Sequence, residues 1–168
     1  MEIDKREEAI VVCVATRDDA LAIHDMLCAL SAVLNRPEGM KSTAEDIARY
    51  GLGTTPAFET IIARQNGKPA GLAIYFHEFS TWRGCPGVYV QDLYVTDELR
   101  GMGLGRRLLV AVAARATAYN AAYMRLSVDA GNEHGMGFYE RLGFVAPNER
   151  ILVLEGDALD SLSRSEHR

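Results

Sequence analysis

Tyr89-Val90-Gln91-Asp92-Leu93-Tyr94-Val95-Thr96-Asp97-Glu98-Leu99-Arg100-Gly101-Met102-Gly103-Leu104-Gly105-Arg106-Arg107-Leu108-Leu109 is the stretch on which the fold turns. Val88 to Val95 is aromatic and β-branched, which predicts a strand. Glycines at 101, 103 and 105 follow a short polar loop, and an alanine-rich amphipathic helix runs from about Gly103 to Tyr119. Strand, glycine loop and helix together aim the unpaired amides of a helix N-terminus at an anion, with no Cβ in the way of close approach. Arg106 and Arg107 sit in the first helical turn, where the dipole disfavours cations unless a polyanion is bound. There is no Gly-Lys-Ser/Thr of a P-loop, and the glycine spacing is not the dinucleotide fingerprint.

Outward from this segment the chain alternates element types. Ala9 to Ala15 is a short apolar run that predicts a buried strand. Thr16 with Asp19 forms a capping-box pattern before a helix whose stripe is Ile23, Met26, Leu27, Leu30 and Leu34. A second helix starts at Ser42-Thr43-Ala44-Glu45 and ends before Gly51. Ala57 to Arg64 and Pro69 to Phe79 are predicted strands, joined by Gln65-Asn66-Gly67-Lys68, whose Asn-Gly step is a strong hairpin signal. Met124 to Val128 predicts a strand and Asn132 to Leu142 a helix. Phe144-Val145 with Ile151 to Leu154 predicts a last strand region. The order β-α-α-β-β-β-α-β-α-β is an α/β pattern with a mixed sheet, spanning residues 1–154 as one domain, and the polar tail 155–168 is expected to fray.

Composition bounds the function classes. The chain has 168 residues, 48% hydrophobic and 24% charged, which is ordinary globular content. A net charge of −5 disfavours a partner that tracks nucleic-acid phosphates. No apolar run approaches the ~20 residues of a membrane span, and the charged start Met1-Glu2-Ile3-Asp4-Lys5-Arg6 is unlike a signal peptide, so a cytoplasmic protein without membrane contact is expected. Cys13, Cys28 and Cys85 lack metal or disulfide spacing; Cys13 and Cys28 are expected in the core, and no metal site is expected.

The run Arg100-Gly101-Met102-Gly103-Leu104-Gly105 resembles the cofactor motif Q/R-x-x-G-x-G/A of the GNAT superfamily of N-acetyltransferases. A second signature, Asn132 through Phe138-Tyr139 to Gly143-Phe144, stands in the matching order and separation. Trp82-x-Gly84 followed by Tyr89 to Val95 looks most similar to the branch that acetylates diamines, polyamines and thialysine. The resemblance implies a GNAT-like α/β fold, with a mixed, mostly antiparallel sheet splayed in the middle and flanked by about four helices. It implies acetyl-CoA as co-substrate, held by Leu93, Tyr94 and Val95 along the pantetheine arm. Amides of Arg100, Gly101, Met102, Gly103, Leu104 and Gly105, with Arg106, would hold the pyrophosphate, and Asn132 and Tyr139 would lie near the cofactor. A small-molecule amine is the implied acceptor, and pairing into a homodimer through the sheets is a common arrangement in the family. Protein or peptide acetylation, aminoglycoside acetylation and a non-catalytic acetyl-CoA-binding module are the other readings.

Forming an amide from a thioester requires a neutral amine, a donor to the carbonyl and an acid for the departing thiolate. An alkyl amine of pKa ~10.4 is neutral in only about one part in a thousand near pH 7, so a base is useful. The resemblance implies Tyr139 as the acid. Polyamine-acetylating relatives carry glutamate at the position of Gln91, and glutamine takes no proton. Gln91 could hold a water or the amine. Asp92 faces the opposite side by strand alternation unless a bulge re-aims it. Other titratable groups near strand ends are His77, Glu78, Asp129 and His134; Glu78 and Trp82, with Gln91, are the expected acceptor-binding residues.

Overall fold

The computed structural model describes residues 10–164, and these divide into two compact units with the boundary between Ser127 and Val128. The first unit carries β1 (Ile10–Val14), α1 (Ala20–Val33), α2 (Ala44–Tyr50), β2 (Glu59–Gln65), β3 (Lys68–Ser80), β4 (Cys85–Val95), α3 (Leu104–Ala118) and β5 (Tyr123–Leu126). The second carries α4 (Glu133–Arg141) and α5 (Asp157–Ser163). No helix among the described residues is long and apolar enough to cross a membrane.

Five strands form one mixed sheet in the order β1-β2-β3-β4-β5, antiparallel throughout except for the parallel pair β4–β5. The hairpin between β2 and β3 turns at Asn66 (φ 50°) and Gly67 (φ 79°), the two positive φ values that the Asn-Gly step predicts. Alternation then assigns the faces. Ile62, Leu72, Ile74 and Tyr94 pack with Ile23, Met26 and Leu27 of α1 and Ile47 of α2. On the opposite face α3 lies across the strands and buries Leu104, Leu108, Leu109 and Val112.

The predicted Thr16–Asp19 capping box forms, and a second box, Thr43–Asp46, forms at the start of α2. Thr43 caps α2, with its hydroxyl accepting from the Asp46 amide at 3.2 Å while the Asp46 carboxylate accepts from the Thr43 amide at 2.8 Å. The Thr16–Asp19 box closes a short 3-10 turn, Arg17–Asp19, ahead of α1, and the buried Asp19 is further paired with Arg64 of β2.

Three expectations are corrected. No strand forms at Phe144-Val145 or at Ile151 to Leu154, where Val145, Ile151, Leu152 and Val153 stay exposed. A strand needs a partner for its backbone groups, and β-propensity without one holds nothing in place. The tail is not wholly frayed, since α5 winds Asp157–Ser163. Cys13 and Cys28 are exposed rather than core, because β1 is an edge strand and Cys28 lies off the buried stripe of α1.

Candidate active site

The glycine loop is built as its spacing predicts. Gly101 (φ 76°) and Gly103 (φ 80°) are both left-handed, a conformation that costs any residue with a Cβ, and Gly103 is the N-cap of α3 with no side chain over the helix end. The Arg107 amide is the first to find a helical acceptor, Gly103 O at 3.1 Å. The amides of Leu104, Gly105 and Arg106 at this helix end therefore have no helical acceptor and no other backbone partner among the described residues, a ready anion site. The two arginines part company: Arg106 is exposed, while Arg107 donates to Ile10 O at 3.0 Å and ties α3 to β1. Arg100 turns back to brace the loop, donating to Val95 O at 3.1 Å and pairing with Asp97 at 2.8 Å.

Beside the loop the sheet opens. β4 pairs with β5 only from Gly87 to Val90, against Tyr123 to Leu126, so Gln91 to Val95 have no strand partner on that side among the described residues. The amide and carbonyl of Leu93 and the amide of Val95 are thus open to an extended ligand, as in strand addition, while Val95 O is taken by Arg100.

The register of β4 against β3 slips at the same place. Ile74 pairs with Asp92 but Tyr75 pairs with Val90, which leaves Gln91 as the extra residue of a β-bulge. As a result Gln91 and Asp92 both line a cleft of about 560 Å³ between the sheet, α1 and α2, together with Leu27, Leu30, Ile74 and Lys41. Asp92 makes no hydrogen bond or ion pair among the described residues, and burial pushes its carboxyl above the usual range.

The site thus combines a left-handed glycine loop opening a helix, a strand with an open edge and a bulge at Gln91, and the "Acetyltransferase (GNAT) family" model matches residues 24–144. The chain belongs to the GNAT acetyltransferase family. It is accordingly an acetyl-CoA-dependent N-acetyltransferase, and the glycine loop and open strand fit that donor. A thialysine N-epsilon-acetyltransferase of Bos taurus is 30% identical over 136 residues, covering 74% of this chain and 79% of that protein. The human spermidine/spermine N(1)-acetyltransferase-like protein 1 is 29% identical over 136 residues, covering 77% of this chain but 19% of that protein. Among solved structures, a Vibrio cholerae integron cassette protein superposes with a TM-score of 0.78 at 20% identity, over 94% of this chain and 99% of that one, a likeness of fold.

In this GNAT chain the other expected site residues divide. Glu78 is held by Arg125 through two bonds, Nε to Oε1 at 2.6 Å and Nη2 to Oε2 at 2.7 Å, and hydrogen bonding to that guanidinium, outweighing burial, keeps its carboxyl below the usual range. Trp82 stands 99% exposed in the β3–β4 turn, and neither Glu78 nor Trp82 lines the cleft. His77 is engaged with Glu59 at 3.1 Å. In the second unit, the Asn132 side chain caps α4 by accepting from the Gly135 amide at 2.8 Å. Tyr139 is half-buried and meets Phe138 and Phe144 edge-on, with ring centroids 5.0 and 5.5 Å away. Burial pushes its hydroxyl up to about 12, so it keeps its proton at neutral pH.

Sequence reasoning did not find Lys41, nor the polar cluster on the α3 face. There the Glu59 carboxylate accepts from Tyr75 OH at 2.8 Å and from Arg115 at 2.8 and 3.1 Å. No local signal marks that cluster, because its members come from β2, β3 and α3.

Proposed function

We propose that this protein transfers the acetyl group of acetyl-CoA to a primary amine of a small molecule, by direct attack while donor and acceptor are both bound. The observation that carries the reading is the bulge at Gln91, beside which the unpartnered, half-buried Asp92 carboxylate lines a cleft next to the open edge of β4. Bound acetyl-CoA supplies the activated thioester.

The chain's own residues do the rest. Glycine-loop amides from Gly101 to Gly105, assisted by Arg106, hold the pyrophosphate, and Leu93 and Val95 align the arm by backbone bonds. Asp92 pairs first with the acceptor's ammonium group and takes one of its protons onto a carboxylate oxygen, which frees the nitrogen lone pair to attack the thioester carbonyl; as the C–S bond breaks, a second N–H proton passes to the departing sulfur. A carboxyl raised by burial is a stronger base than a solvated one, which suits that transfer. Gln91 orients the amine or a bridging water through its amide. Tyr139 is assigned, on the family resemblance, to hydrogen-bond the departing sulfur. A hydroxyl with a pKa near 12 acts as a donor there without surrendering its proton outright.

Release of free thiol from acetyl-CoA with a panel of amines tests the reading. Turnover on small primary amines is the expected result. Turnover confined to peptides or aminoglycosides, or tight acetyl-CoA binding with no turnover on any amine, would replace it with one of the other readings.

A further inference from the structure

The lining of the cleft carries charge of both signs, and its partners are unevenly spent. Of its two carboxylates, Asp46 is committed to the cap of α2, where its oxygen accepts from the Thr43 amide at 2.8 Å and hydroxyl at 2.9 Å. Those bonds, the backbone one first, hold its carboxyl below the usual range. Asp92 has no such partner. On the cationic side, Arg36 and Lys41 line the same cleft; Arg36 is already engaged with another group, and Lys41 forms no ion pair among the described residues.

Lys41 is also held in place. Its neighbour Met40 packs against the core shared by α1 and α2, and Ser42 on the other side has its carbonyl at 3.0 Å from His24 Nε2 of α1. Thr43 then caps α2. The residues on both sides of Lys41 are thus anchored, and Lys41 itself is exposed.

We infer that the acceptor is an amino-acid-like zwitterion whose carboxylate is read by Lys41 while its reacting amine meets Asp92; this rests on the cleft being the acceptor site. A free cation and a free carboxylate in one cleft complement a ligand with the opposite charge at each end. A diamine or polyamine presents a second ammonium group toward Lys41, a like-charge contact that selects against it. The relatives are named for both kinds of amine, so the choice falls to this lining. Lys41 is thus a specificity-determining residue.

Pairs of acceptors that differ only by a carboxylate provide the test: L-lysine with cadaverine, and L-ornithine with putrescine. The ratio of kcat/KM within each pair is measured by thiol release, alongside calorimetric binding of the same compounds to the protein loaded with CoA. The carboxylated member should be favoured by about tenfold or more at low ionic strength, a charge-assisted contact being worth roughly that factor. Added salt should shrink the ratio, which a merely structural role for Lys41 would not produce. Lys41→Glu should invert the ratio and Lys41→Arg should keep it, with unchanged thermal midpoints confirming that both variants fold. A wild-type preference for the diamine, or a ratio indifferent to Lys41→Glu, overturns the inference. Preferential binding of the amino acids without turnover upholds the inference and overturns acetyl transfer. No binding and no turnover of either member overturns both.

Discussion

At the scale of single residues, Asp92 and Tyr139 separate function from stability. Burial lifts the folded-state pKa of Asp92 above its unfolded value of about 3.9, so the ionised carboxylate opposes folding at neutral pH. Its favourable contribution is complete below the unfolded value and is lost as pH rises through the folded one. Asp92→Asn is therefore expected to leave the thermal midpoint at pH 7 equal or higher, while kcat/KM falls by about 10²–10⁴. A lower midpoint with near-normal turnover would refute the base assignment. The acid limb of kcat/KM should also sit above the ordinary aspartate value. Tyr139→Phe should lower kcat by roughly tenfold or more with the KM for acetyl-CoA within about twofold, and an unchanged kcat rules out a role at the sulfur. Asp92 shows where the sequence stops being legible. Its chemistry is plain from the residue type, but its direction depends on how β4 registers against β3, and strict alternation faces it the wrong way.

At the scale of elements, the glycine loop and α3 are the most legible part of the chain, because every cue lies within a few consecutive residues. Gly103→Ala places a Cβ at φ 80° on the helix N-cap. It should cost about 1–2 kcal/mol in urea denaturation and raise the KM for acetyl-CoA, since strain would tilt the amides that we propose hold the pyrophosphate. Loss of stability with an unchanged KM would remove the loop from the donor site. The hairpin at Asn66-Gly67 was equally legible, for the same reason. The run Ile151 to Leu154 was not. Its composition is as strand-like as that of β1, yet β1 is bonded to β2 from Ile10 to Val14 and this run is bonded to nothing among the described strands.

Across the whole molecule, the Glu59 cluster fastens β2, β3 and α3 on the face away from the cleft. Burial pushes the Glu59 carboxyl up, but hydrogen bonds from Tyr75, Arg115 and His77 outweigh it and hold it below the usual range. With the folded value depressed, the stabilisation is present above the unfolded value near 4.5 and is lost as pH falls through the folded one. Glu59→Gln should cost about 1–3 kcal/mol at pH 7, read by denaturant unfolding, and the gap to wild type should close below pH 4.5. A gap independent of pH would mean that the carboxylate charge is not what holds the cluster. The amino-acid sequence by itself determined the α/β class, the Thr16–Asp19 cap, the tight turn and the glycine loop, since propensity, capping and glycine conformation act over a handful of neighbouring residues. Only the tertiary structure decided that Gln91 and Asp92 share a cleft with Lys41, that Glu78 is spent on Arg125, and that Glu59 meets Tyr75 and Arg115. Those pairings join residues 16 to 56 positions apart, and strand register and helix docking, which no local pattern encodes, bring them together.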